Sequence, residues 1–250
     1  MTVFLTAIAG LAFGSFMNVL IDRVPAQRSI RGRSACDRCR RTLRWWELVP
    51  VMSALLLRHR CSTCGGAIAF RTTLVELGAA AILVSVVLRH GGLVTMQGAL
   101  EAFTLLSLGT LAVIDLRQGI VPDQISLPAI VAVLAVKALF IIHYSSFIPQ
   151  LLLPVVIGAG WFAIQRWISK GRWVGDGDTR VGALMGALFA PVHLLLALAA
   201  SYIIGGAFAG ALLVTRRVNR GAHIPLVPFL FLGSVVVVLW GERIVAWYGW

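Results

Sequence analysis

Apolar residues run along this chain in long blocks, without the alternation of a strand or the single stripe of a surface helix. Eight blocks approach the length that a helix needs to cross a bilayer core, about 20 apolar residues. They cover residues 3–21, 72–88, 97–115, 124–142, 148–165, 180–196, 197–214 and 224–246. The division near Pro191 is open, because 181–214 can be split differently, and seven is the alternative count. In lipid each backbone polar group must be satisfied within its own segment, so such blocks predict helices. The expected fold is an all-α integral membrane protein of about eight transmembrane helices. Its regions are a first span at 1–21, a polar loop module at 22–71 and a helical membrane region at 72–250. The first block lacks a basic stretch before it and reads as a retained span rather than a removed signal.

Composition agrees. The chain is 59% hydrophobic and 13% charged, too apolar for a soluble domain. Its formal charge of +12 raises nucleic acid as a partner, and the charge distribution argues against it. Eleven of the 22 basic residues fall between Arg23 and Arg71, and most others sit in short gaps between apolar blocks. That is the pattern of cytoplasmic loops beside membrane spans, with lipids as the expected contact. The basic gaps at 22–71, 166–180 and 215–223 share one side if there are eight spans, and positive charge makes that side cytoplasmic. Gly10, Gly14, Gly182, Gly186, Gly206 and Gly210 are expected to let helices approach closely. No internal repeat is evident.

All four cysteines lie in the basic loop, as Cys36-x-x-Cys39 and Cys61-x-x-Cys64. Two such pairs match a tetrahedral zinc site, and four sulfurs close its coordination sphere, so the ion would be structural. Disulfides, an iron centre and unoccupied thiols remain alternatives.

Two acids stand at the edges of apolar blocks. Asp115 ends the third block, and Asp178 closes Gly175-Asp176-Gly177-Asp178 ahead of the sixth. A carboxylate beside membrane sequence is costly and is a functional candidate by default. Eight-span topology puts both acids at the same face. Two carboxylates held close share a proton, and such a pair activates water while protonating a leaving group. Gly175 and Gly177 are expected to permit tight backbone geometry, and Asp123 to cap or solvate the turn at Pro122. No Ser/His or Cys/His arrangement competes.

In order along the chain, Gly14-Ser15-Phe16-Met17-Asn18-Val19, Arg23-Val24-Pro25, the two cysteine pairs, Glu76-Leu77, Asp115 to Asp123, Gly175 to Asp178 and Pro225-Leu226-Val227-Pro228-Phe229-Leu230 resemble the type IV prepilin leader peptidase family, membrane aspartic proteases with a Gly-x-Gly-Asp motif. The resemblance implies that Asp115 and Asp178 are the catalytic pair, with Asp123, Gly175, Asp176, Gly177 and Arg180 as secondary motif positions. It implies removal of the basic leader of prepilins or pseudopilins after glycine, at the cytoplasmic face of a bacterial inner membrane. It further implies S-adenosylmethionine-dependent N-methylation of the new amino terminus. Asn18, Glu47 and Glu76 are the candidates associated with that step, and loop anchoring is the competing role for each. The chain departs from the family pattern at Asp22, His59, Thr179-Arg180 and Val227. The competing functional readings are a cleavage-only peptidase, a non-enzymatic membrane scaffold and a proton-coupled transporter.

Overall fold

A computed structural model describes residues 1–36, 38–141, 147–216 and 224–248. Arg217, Arg220 and His223, which belong to the basic gap at 215–223, lie outside the described residues. The long helices are α1 (Thr2–Arg23), α3 (Arg71–Arg89), α4 (Met96–Gln118), α5 (Asp123–Ile141), α6 (Phe147–Ser169), α8 (Pro191–Val214) and α9 (Val227–Trp247). Two shorter helices, α2 (Met52–Leu57) and α7 (Asp176–Leu188), and a 3-10 turn at Trp45–Leu48 complete the described elements. The protein is an all-α, multi-pass membrane protein. Among the described residues seven helices are long and apolar enough to cross a membrane.

The expected blocks at 180–196 and 197–214 resolve differently. The break falls earlier, at Phe189 and Ala190, whose ψ angles of 148° and 160° are extended. Pro191 then opens α8 at its first position. A proline disfavours helical geometry in the residue before it and is well placed at a helix start. What remains of the sixth block is α7, only 13 residues long, or roughly 20 Å at 1.5 Å per residue. Its final carbonyl, Leu188 O, accepts a hydrogen bond from Lys137 Nζ of α5. That bond satisfies an orphan acceptor at the end of a helix too short to reach aqueous surroundings unaided.

The chain forms two compact units, Met1–Gly98 and Ala99–Trp250. The second span, α3, falls in the first unit with α1 and the cysteine loop. Glycine explains the α1–α3 pairing. A Cβ at Gly14 would stand 2.5 Å from the Glu76 Cα, and one at Gly10 would collide with the Ala80 backbone. In the second unit Gly182 and Gly186 of α7 lie in the same way against Gly158 and Pro154 of α6. The expectation fails at Gly206 and Gly210, where nothing lies within 4 Å. Spacing alone does not say which face of a helix has a neighbour.

Candidate active and metal sites

In the amino-terminal unit the cysteine loop folds as two hairpins of one design. Isolated antiparallel bridges join Ala35 to Thr42 and Arg60 to Ala67. The Cys36 N–H donates to Arg41 O at 2.9 Å, and the Cys61 N–H to Gly66 O at 2.8 Å. Each turn closes on a left-handed residue, Arg40 at φ 58° and Gly65 at φ 65°. The repeat is one of backbone geometry, which is why the side-chain sequence conceals it. All four sulfurs lie within 4.8 Å of one another, and Cys36 Sγ is 3.8 Å from Cys64 Sγ. A tetrahedral zinc–thiolate centre with bonds of about 2.3 Å has edges of roughly 3.8 Å, so this donor set fits a metal ion. Amides of Cys64 and Thr63 hold the Cys61 thiol down, to about 6, and those of Cys39 and Arg38 lower Cys36. Thiolate is the form that a metal binds.

Glu47 braces this centre. Its Oε1 accepts from Arg41 at 2.7 Å and Ser62 Oγ at 2.6 Å, and its Oε2 from the Arg44 N–H at 2.7 Å. The Arg41 guanidinium, the Arg44 amide and the Ser62 hydroxyl hold its carboxyl down, to about 2. Arg41 also reaches Cys61 Sγ at 3.8 Å, which ties the hairpins to the 3-10 turn. Glu76 and Asn18 lie apart from this brace, on the helices. Glu76 Oε2 accepts the Val51 N–H at 2.9 Å. Asn18 Nδ2 donates to Thr72 O at 2.9 Å, and Arg71 bridges Asn18 and Asp22. Asp22, a departure from the family pattern, thus joins the first span to the start of α3.

The carboxy-terminal unit holds the other acids. Asp115 is buried near the end of α4. Its backbone carbonyl accepts the Gly119 N–H at 2.8 Å, with Gly119 at φ 65° ending the helix. A carboxylate is disfavoured at a helix carboxyl end, and a donor from another helix compensates. The Val227 N–H, first of α9, reaches Asp115 Oδ2 at 3.1 Å. Such amino-terminal N–H groups have no partner within their own helix. The bond spans 112 residues, and the only sequence signal for it was the Pro225–Leu230 motif. Because the donor is backbone, valine supplies it as well as glycine would.

Asp178 sits in the first turn of α7 and accepts the Gly175 N–H through Oδ2 at 2.9 Å. Negative charge is favoured at that end. Neither glycine of the motif has a left-handed backbone. Gly175 is extended (φ −78°, ψ 168°), and Gly177 is helical. The reason for Gly177 is space, since a Cβ there would stand 2.5 Å from the Val121 Cβ. The start of α7 therefore lies directly on the α4–α5 connection. Arg180 fastens that contact, pairing with Asp123 at 2.7 Å and with Asp176 at 2.9 Å. Arg166 of α6 adds a second partner for Asp176 at 3.3 Å, unforeseen because the ion pair crosses between helices. Asp123 and Asp176 are thus ion-paired and exposed, while Asp115 is buried. The connection touched by Gly177 begins four residues after Asp115.

Residues 8–90 match the bacterial peptidase A24 N-terminal domain, and residues 102–210 match the type IV leader peptidase family. The two matched stretches fall one in each compact unit. The chain is similar to prepilin leader peptidase/N-methyltransferases: 31% identical to that of Pseudomonas putida over 97% of this chain and 92% of the relative. Identity is 30% to that of Bacillus subtilis over 96% and 95%, and 35% to that of Myxococcus xanthus over 86% and 64%. No solved structure matches the chain. With a family match in each unit and relatives of this identity along nearly its whole length, the chain belongs to the type IV leader peptidase family.

Proposed function

We propose that this protein is a membrane aspartic endopeptidase that removes the basic leader of type IV prepilins or pseudopilins after glycine, and then N-methylates the new amino terminus. The observation that carries the peptidase reading is the seating of the Gly175–Asp178 turn on the α4–α5 connection that follows Asp115. In this reading Asp115 and Asp178 are the catalytic pair. One carboxylate takes a proton from the attacking water while its protonated partner gives one to the scissile carbonyl, and the proton taken from water then passes to the leaving amine. The substrate leader unwinds locally, because an intact helix keeps its carbonyls in internal hydrogen bonds. Asp123, Asp176 and Arg180 hold the α7 start in place.

The four cysteines bind structural Zn2+, which organises the loop and takes no part in hydrolysis. S-adenosylmethionine supplies an electrophilic methyl group for the second activity. The basic gaps support a position for both activities at the cytoplasmic face of the inner membrane. A 13-residue α7 that still crosses is required for the gaps near 22–71 and 215–223 to share that face. Intact-mass analysis of a cognate prepilin tests the proposal. Purified protein should remove the leader, and adding S-adenosylmethionine should give a further methyl mass. Asp115→Asn and Asp178→Asn should each slow cleavage by about a thousandfold. Cleavage at the wild-type rate by either variant sinks the pair.

A further inference from the structure

A cavity of about 530 Å3 lies between the end of α1, the start of α3 and the cysteine hairpins. It belongs entirely to the amino-terminal unit. Six arginines and three acids line it, so its wall carries both signs of charge with positive in excess. Two of those arginines are committed. Carbonyls of residues 29–33 ring the Arg23 guanidinium at 3.0–3.5 Å, which makes that loop a fixed rim. Arg71 holds Asp22 and Asn18. Among the described residues no side-chain hydrogen bond or ion pair engages the guanidinium of Arg28, Arg31, Arg33 or Arg40. The acids divide too. Glu47 is saturated by Arg41, Ser62 and the Arg44 amide, whereas Glu76, 8% exposed, accepts from the Val51 N–H and Ser15 and still lines the cavity.

We infer that this cavity binds S-adenosylmethionine, with the uncommitted arginines taking its carboxylate and Glu76 facing its sulfonium charge. The inference rests on the methyl-transfer half of the proposed function. Pockets of roughly 300–1,000 Å3 suit ligands of that size. Guanidinium groups recognise carboxylates bidentately, and a carboxylate in a low-dielectric wall attracts a fixed cation more strongly than it does in water. A purely anionic ligand would be repelled at Glu76, and a neutral one would leave the arginines unanswered. Glu47 then acts as a brace of the metal centre and Glu76 as the ligand-facing acid. A phospholipid headgroup that pairs an ammonium with a phosphate shares this chemistry, and the test separates the two.

Equilibrium dialysis decides it, using full-length, zinc-loaded protein in phosphatidylglycerol nanodiscs with S-adenosylmethionine or S-adenosylhomocysteine, which lacks the sulfonium charge. Glu76→Gln should raise the Kd for the cationic donor at least about tenfold and that for the uncharged thioether less than about threefold. The double variant Arg31→Ala/Arg33→Ala should weaken both at least about tenfold. Metal content and melting temperature equal to wild type establish that the variants are folded. Unchanged Kd values in both variants overturn the inference, as does an equal loss of both ligands in Glu76→Gln. So does abolition of binding by phosphatidylethanolamine nanodiscs, which would make the cavity a lipid site. Methylation by wild type with donor binding unmoved in these variants removes the cavity assignment alone. Wild type that cleaves and never methylates removes the methyl-transfer reading beneath it.

Discussion

Glu47 in one unit and Asp115 and Asp178 in the other are held in different ways. In the amino-terminal unit Glu47 sits inside the loop, every oxygen bonded, where it holds polypeptide together. In the carboxy-terminal unit Asp115 and Asp178 sit at helix ends, where Asp115 accepts the Val227 N–H and Asp178 the Gly175 N–H. The difference follows from what each unit has to fold with. Among the described residues the cysteine loop buries few apolar side chains beyond Cys36 and Cys61, so a metal ion held by the four sulfurs, with the ion pairs, would take the place of a core. The carboxy-terminal helices pack through small residues and apolar faces, and Asp115 and Asp178 stand at the helix ends.

The comparison is broken most severely at the metal. Cys61→Ser removes one of four donors, and its unit should lose cooperative folding and metal together. Methylation should fall by at least about a hundredfold, as folding free energy is lost with the ion, while the helices α4–α9 keep their melting behaviour. Metal analysis with circular dichroism and the intact-mass assay checks this. A variant that binds no metal yet melts as wild type would remove the contrast between the units.

The next effect is in the other unit. Arg180 joins Asp123 and Asp176 across exposed surfaces, so these pairs are worth less than about 1 kcal/mol of stability. In the proposed reading its importance is placement of Asp178. Arg180→Ala should lower the cleavage rate about tenfold, because a small displacement of a catalytic group is costly, with the melting temperature nearly unchanged. Arg180→Lys should restore part of the rate, since it keeps the charge and loses the fork. A large drop in melting temperature would turn Arg180 into a structural strut like Arg41.

Glu47 gives a pH signature to the amino-terminal unit. Its folded-state pKa lies below the ordinary 4.5, at about 2. A depressed carboxylate contributes stability that is complete above the unfolded value and is lost as pH falls through the folded one. Thermal melts should therefore show this unit losing stability as pH drops from about 4.5 toward about 2, and Glu47→Gln should flatten that dependence. A slope of the same size in the variant assigns the acid lability elsewhere.

The smallest effect is expected at Val227. Its N–H, not its side chain, meets Asp115, so Val227→Gly should change the cleavage rate less than about threefold, as expected for a change that leaves the transition-state contact in place. A tenfold change would mean that the side chain matters to Asp115 as well.

Much of this protein was legible one residue at a time. Block length and hydropathy announce membrane helices, because lipid forces each segment to satisfy its own backbone. The pairs Cys36/Cys39 and Cys61/Cys64 announce a shared site, because two sulfurs three residues apart can meet one ion. Gly175 to Asp178 was visible too, although for the wrong reason at Gly177, where the need is room for Val121 rather than an unusual backbone. Tertiary structure decided what depends on facing surfaces. It set the break before Pro191 and the shortness of α7, chose which glycines have neighbours, and grouped α3 with α1. It also gave Glu47 to the metal loop, and the Val227 N–H to Asp115. These relations join positions far apart in the chain, where local periodicity carries no record of what lies opposite.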